Sequence, residues 1–277
     1  MGHRGKFESL MKEYAGRAAI GHTRYATCGA DDLNYAQPFE RQHLQKHKWF
    51  SFCFNGQLAN YQELKDKLTL AGEHHLARDT DTEIIMHEIG RELSSGAPNR
   101  NMIDVFAAAA KNFDGAYSLA LLNAQGELLL ARDPLGMKPL CYAVDGSLFA
   151  SASESVALLN LGFDRESIKS VPPGSAVLVT PDGIRIESFG VKKTPAHCFF
   201  EWIYFANVAS TLDDRSVYLS RTRLGEDQVP VRLARIVGDR IVPWCAGAAV
   251  SEWKRWALSE VKLSAKRVSW EAETVPE

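Results

Sequence analysis

The chain has 277 residues, with 32 Lys+Arg against 34 Asp+Glu for a formal charge of −2, and 45% of its residues are hydrophobic. That length suits one large or two ordinary domains with a full core, and the near-neutral charge gives no reason to expect capture by nucleic acid or an anionic membrane. No apolar run approaches the ~18 residues of a membrane-spanning helix, the polar start MGHRGKFESLMKEYAGR lacks a signal-peptide core, and five scattered cysteines with no CxxC pair make no disulfide framework, so a cytoplasmic protein is expected.

Residues 50–54 (FSFCF) read as a short strand running into a tight turn at Asn55-Gly56. Residues 61–71 place Leu64 and Leu68 on one face of an amphipathic helix that Gly72 stops. A second helix starts near Thr80, with Asp81 or Thr82 able to cap it and Ile84, Ile85, Ile89 and Leu93 as its apolar face. An alanine-rich third helix spans 102–113.

After Asp114-Gly115 the pattern changes to AYSLALL, ELLLAR, PLCYAV and SLFASA, apolar runs separated by turn signals, which predict an antiparallel meander. A short helix follows over 154–161, then a hairpin over 175–189 with Asp182-Gly183 at its turn. A block of helices set between runs of strands predicts a layered α+β fold. From Gln228 the signals weaken, and Trp244, Trp253, Trp256 and Trp270 crowd the end of the chain.

Generic signatures are absent: there is no P-loop, GxGxxG after a strand, HExxH or GxSxG. His43 and His47 have a finger-like spacing without paired cysteines and read as surface histidines, while His74-His75 reads as a solvated turn. Small polar segments remain. In Gly21-His22-Thr23-Arg24-Tyr25-Ala26-Thr27, Arg24 offers a planar fork for a carboxylate and Thr27 a nearby hydroxyl. Asn55-Gly56 can aim a side-chain amide and a backbone N–H at one developing negative oxygen, or can be an ordinary hairpin turn. In Asp79-Thr80-Asp81-Thr82-Glu83 an acid at a helix start can bind an ammonium, or can simply cap the helix.

GHTRYAT-G, FNGQLANYQEL, DTDTE, FDGAYSLALL, ARDPLGMKPLCY and ASASESVAL, in this order, closely resemble the class II glutamine amidotransferase domain over residues 18–190. The resemblance implies a four-layer αββα sandwich of the N-terminal nucleophile hydrolases, here lacking its first strands. Within that group, Cys198-Phe-Phe-Glu-Trp-Ile-Tyr-Phe-Ala-Asn with 216–226 resembles the segment joining the two domains of amidophosphoribosyltransferase, which makes phosphoribosylamine from glutamine and phosphoribosyl pyrophosphate. It implies that Arg24 clamps the glutamine α-carboxylate with Thr27 in support, that Asp81 takes the α-ammonium, and that Asn55 and Gly56 form the oxyanion hole.

The family's nucleophile is an N-terminal cysteine whose α-amine serves as base, whereas this chain opens Met1-Gly2-His3, and Cys28 and Cys53 have no free α-amine. The chain as given is therefore expected to be inactive and truncated at both ends. Residues 1–195 are expected to form a partial amidotransferase domain, 196–227 a connector toward a phosphoribosyltransferase domain, and 228–277 a divergent tail with no assigned domain. No cofactor is expected here, although full-length relatives use magnesium with phosphoribosyl pyrophosphate and some hold an iron–sulfur cluster. L-Glutamine is the expected ligand, and the family's enzymes are homo-oligomers. The alternatives are a non-catalytic glutamine-binding or scaffold module, or another class II amidotransferase, which residues 198–226 disfavour.

Overall fold

The structure, a computed structural model, describes residues 16–23, 33–70, 76–95, 100–190, 193–232, 234–237 and 240–243, together with residues 9 and 12. Met1–Val217 and Tyr218–Glu277 are separate compact units. In the first, strands β1 (Phe39–Arg41) and β2 (Phe50–Leu58) lead into helices α1 (Tyr61–Leu70), α2 (Asp81–Ser95) and α3 (Met102–Ala110). Strands β3 (Gly115–Asn123), β4 (Leu128–Arg132), β5 (Cys141–Asp145) and β6 (Leu148–Ala152) follow, then α4 (Ser155–Asn160), β7 (Lys169–Ser170), β8 (Ser175–Thr180) and β9 (Gly183–Ser188).

A six-stranded antiparallel sheet runs in the order β1-β2-β3-β4-β8-β9, and a three-stranded sheet in the order β6-β5-β7. Alternation along the strands sorts the side chains into layers. Phe50, Phe52, Phe54 and Leu58 of β2 and Tyr117, Leu119 and Leu121 of β3 pack under Leu64, Leu68, Ile84, Ile85, Ile89, Ile103 and Phe106 of the three helices. The opposite face, through Leu130 and Val177, meets Tyr142 and Phe149 of the smaller sheet. That sheet's outer face, through Cys141 and Ala143, packs on Leu158 of α4 and on Phe163. Helices, sheet, sheet and helix make the expected αββα sandwich.

The tight turn expected at Asn55-Gly56 is replaced by continuous strand: Asn55 pairs with Ser118 and Gly56 with Tyr117. The reason is steric. A Cβ on Gly56 would lie 2.2 Å from the Ala116 carbonyl oxygen, so this glycine serves close approach of two strands and not a turn. The meander also divides, because β3 and β4 lie in the large sheet while β5 and β6 lie in the small one.

The crossing between the sheets, residues 133–140, is organised by two buried charged side chains. The Asp133 carboxylate accepts from the backbone N–H groups of Leu135, Met137, Lys138 and Tyr117. The Arg132 guanidinium donates to the carbonyl oxygens of Gly136, Lys138 and Val171 and to both oxygens of Asp213. Charge and hydrogen-bond capacity are thus met without solvent, the condition for burying either ion.

Residues after Gly190 return along the crossing. Ala196 N–H donates to the Leu135 carbonyl at 2.9 Å, Lys138 pairs with Glu201 at 2.6 Å, and Glu154 accepts from Asn207 N–H and the Ser210 hydroxyl at 2.6 and 2.7 Å. Strands β10 (Thr211–Leu212) and β11 (Arg215–Ser216) pair antiparallel beside them. Helix α5 (Val217–Arg232), all but its first residue in the second unit, is followed there by an antiparallel hairpin of β12 (Ala234–Val237) and β13 (Arg240–Pro243). The late tryptophans lie outside the described residues. No helix among the described residues is long and apolar enough to cross a membrane.

Candidate active site

β1 covers only residues 50–52 of β2, so the rest of that edge is open to other partners. In a strand, the N–H and C=O of one residue point to one side and those of the next to the other. Ala59 N–H donates to Asp114 at the start of β3, which sets the odd-numbered residues of β2 toward β3. Phe54, Gly56 and Leu58 therefore direct their backbone groups to the open edge.

Each of these is treated differently. Phe54 N–H donates to Gln37 Oε1 at 2.6 Å while its carbonyl accepts from Gln37 Nε2 at 3.1 Å. Leu58 N–H donates to Asp81 Oδ2 at 3.2 Å. Between them, the Gly56 N–H faces outward. Asn55, half-buried, places its side chain on the sheet face away from the helices, opposite Ser118. The Ser118 hydroxyl lies within bonding distance of the Lys138 and Pro139 carbonyls, at 3.2 and 3.1 Å, and so does not compete for the Asn55 amide.

The cap of α2 is Thr80, whose Oγ1 accepts from Glu83 N–H at 3.2 Å. This corrects the expectation that Asp81 or Thr82 caps the helix: the S/T-x-x-E spacing of a capping box begins at Thr80. Asp81 is left with its carboxylate turned to the Leu58 N–H at the strand edge. Burial raises the Asp81 pKa, opposed by hydrogen bonds from Leu58 and from the first turn of its own helix. Nearby Asp79 differs. It accepts from the Tyr61 hydroxyl and, at 2.5 Å, from Lys65 Nζ, and those bonds hold its carboxyl below the usual range. One acid is already matched by a cation; among the described residues Asp81 is met by backbone N–H groups and the Thr82 hydroxyl, with no cation beside it.

The spacing fits one small molecule. Two strand residues separate the Gly56 and Leu58 N–H groups by about 7 Å, and the carboxamide carbon and α-nitrogen of an extended glutamine lie about 5 Å apart. Arg24 and Thr27, expected to hold the α-carboxylate, lie outside the described residues.

Buried Cys53 has its thiol pushed up to about 11, and Cys141 to about 12, both chiefly by loss of solvent. Neither is a thiolate at neutral pH, so neither is an activated nucleophile. Among the described residues no three His, Cys, Asp or Glu side chains converge as metal ligands, Cys198 included.

Sequence reasoning reached Asn55, Gly56 and Asp81, and the structure brings these three to one end of β2. It missed Gln37, whose role needs the register of β1 on β2, and Thr80, which the capping-box spacing already marked.

Residues 22–160 match the glutamine amidotransferase domain model. The amidophosphoribosyltransferase of Methanothermobacter thermautotrophicus is 36% identical over 78% of this chain and 44% of its own length. That of Methanocaldococcus jannaschii is 34% identical over 80% and 48%. The solved glutamine phosphoribosylpyrophosphate amidotransferase from B. subtilis, complexed with ADP and GMP, superposes with a TM-score of 0.65 at 27% identity, covering 74% of this chain and 42% of that one. The chain thus spans about half the length of the curated relatives it matches. By its sandwich and its domain match, this chain belongs to the class II glutamine amidotransferases, with the fold of the N-terminal nucleophile hydrolases.

Proposed function

We propose that the chain binds L-glutamine at the open edge of β2, as the glutamine-hydrolysing part of an amidophosphoribosyltransferase. The observation that carries this reading is the Gly56 N–H and the Asp81 carboxylate on one strand edge, spaced for the two ends of one glutamine. The Asn55 amide and Gly56 N–H receive the carboxamide oxygen, Asp81 the α-ammonium, and Arg24 with Thr27, by family resemblance, the α-carboxylate.

When a thiolate adds to the carboxamide carbon, the C=O π pair moves onto oxygen, where the two donors hold it. Collapse restores the carbonyl as a thioester and expels ammonia, which carries away the proton first taken from the thiol. Removing one such donor typically costs about 2.7–4 kcal/mol of transition-state stabilisation. In this family the thiol and the proton-carrying α-amine belong to one N-terminal cysteine, and buried Cys53 and Cys141 do not suit that role. The resemblance of residues 198–226 to the domain junction supports phosphoribosyl pyrophosphate as the acceptor of the ammonia, giving phosphoribosylamine, the first step of purine synthesis. A cytoplasmic location suits that chemistry.

Calorimetric titration with glutamine tests the reading. The wild-type chain is expected to bind glutamine, and Asp81→Asn to lose most of that affinity; equal affinity in the two sinks the assignment. Measuring ammonia release in parallel separates hydrolysis from a module that only binds.

A further inference from the structure

We infer that Gln37 is a positioning residue for the oxyanion donors, a role that rests on the glutamine reading above. The register Phe39↔Phe52, continued two residues backward, brings Gln37 opposite Phe54. There the backbone does not continue the ladder. The side-chain amide does so instead, with Oε1 accepting the Phe54 N–H and Nε2 donating to the Phe54 carbonyl. A primary amide has a donor and an acceptor in one plane, so it copies the edge of a peptide unit.

The substitution of a side chain for a strand has a consequence for the next edge residue. Had the backbone of β1 run on, residue 35 would have met Gly56 and taken up its N–H. Gln37 instead fixes Phe54 on both of its backbone groups and ends the ladder one step short of Gly56. The Phe54–Asn55 and Asn55–Gly56 peptides are held flat in the strand, and the Gly56 N–H is held facing outward, without a partner among the described residues. Gln37 touches no reacting atom; it acts through Phe54.

The test compares two ligands on the full chain: glutamine, and norvaline, which keeps the α-amino acid ends but has no carboxamide. Gln37→Met removes both hydrogen bonds at similar volume, and Gln37→Glu keeps the acceptor but not the donor. Glutamine affinity by calorimetry is expected to fall about threefold to tenfold in Gln37→Met, and by less in Gln37→Glu. Norvaline affinity is expected to stay as in the wild type. Hydrogen exchange at Phe54 N–H is expected to quicken in Gln37→Met and to stay slow in Gln37→Glu. Equal losses for both ligands would show a general structural role and overturn the inference, as would wild-type glutamine affinity in Gln37→Met. If the wild type binds neither ligand, the glutamine reading itself falls and this inference with it; unchanged Phe54 exchange in Gln37→Met removes the inference alone.

Discussion

Arg132 and Asp213 form a two-pronged ion pair, with N–O distances of 2.6 and 2.9 Å, between residues 81 positions apart in the chain. Arg132 is buried, while Asp213 is partly exposed and sits at a backbone φ of 46°, in the left-handed region that an aspartate tolerates better than most residues. The pair joins the crossing between the two sheets to the returning segment.

Asp213→Ala leaves the guanidinium buried with no counter-charge. It is expected to destabilise the first unit by about 3–5 kcal/mol, read as a lowered urea midpoint with an unchanged slope. Arg132→Met with Asp213→Ala should recover part of that loss, because no buried ion is then left unpaired. A double variant no more stable than Asp213→Ala would contradict the account.

Gly56→Ala puts a methyl group 2.2 Å from the Ala116 oxygen and 2.7 Å from the Tyr117 Cα. Backbone atoms of a central strand cannot step aside cheaply, so a loss of about 1–3 kcal/mol is expected, with glutamine affinity falling as β2 shifts. A melting temperature equal to the wild type's would show that the two strands are looser than described.

Asp81 links the proposed glutamine contact to stability with a definite sign. Its folded pKa is raised by burial, so ionisation costs the folded state more than the unfolded one. This contribution to stability is fully present below the unfolded pKa and is lost as pH rises through the folded value. Asp81→Asn, whose amide oxygen can still accept from Leu58, is therefore expected to melt higher than the wild type at pH 7 and to lose that advantage in acid. It does so while losing glutamine. A melting temperature below the wild type's across the whole pH range would refute this.

Thr80→Ala removes the side-chain cap of α2 and is expected to cost about 1 kcal/mol, with Thr80→Ser close to the wild type. Chemical denaturation of the three proteins checks both values.

Cys53 and Cys141 are buried with raised thiol pKa values of about 11 and about 12. Both are expected to resist alkylation at pH 7 under native conditions, and to react once the chain is unfolded. Peptide mapping after iodoacetamide treatment reports each site separately; native labelling of Cys53 would reopen it as a candidate nucleophile.

How much of this was legible beforehand differs by residue. The apolar faces of α1 and α2 follow from helical spacing, and Leu64, Leu68, Ile84, Ile85 and Ile89 are all buried where that spacing put them. Gly56 is different. Asn-Gly after a short apolar run has the local chemistry of a tight turn, and the strand extends through it only because β3 offers a partner along its whole length. The four-strand meander failed for a similar reason: the crossing at 133–140 depends on Arg132 and Asp133 being satisfied by groups distant in the chain.

The sequence by itself determined the family, the layered α+β class, and the presence of an amide, a glycine N–H and an acid at fixed separations. Those follow from residue identity and short-range spacing. Only the tertiary structure decided which acid is tied to a cation, since Asp79 pairs with Lys65 while Asp81 has no such partner among the described residues. It alone decided that Asn55-Gly56 is strand edge and that Gln37 ends the ladder beside it. A hydrogen bond or an ion pair between residues 17 or 14 positions apart is set by register and packing, and no local pattern in the chain encodes either.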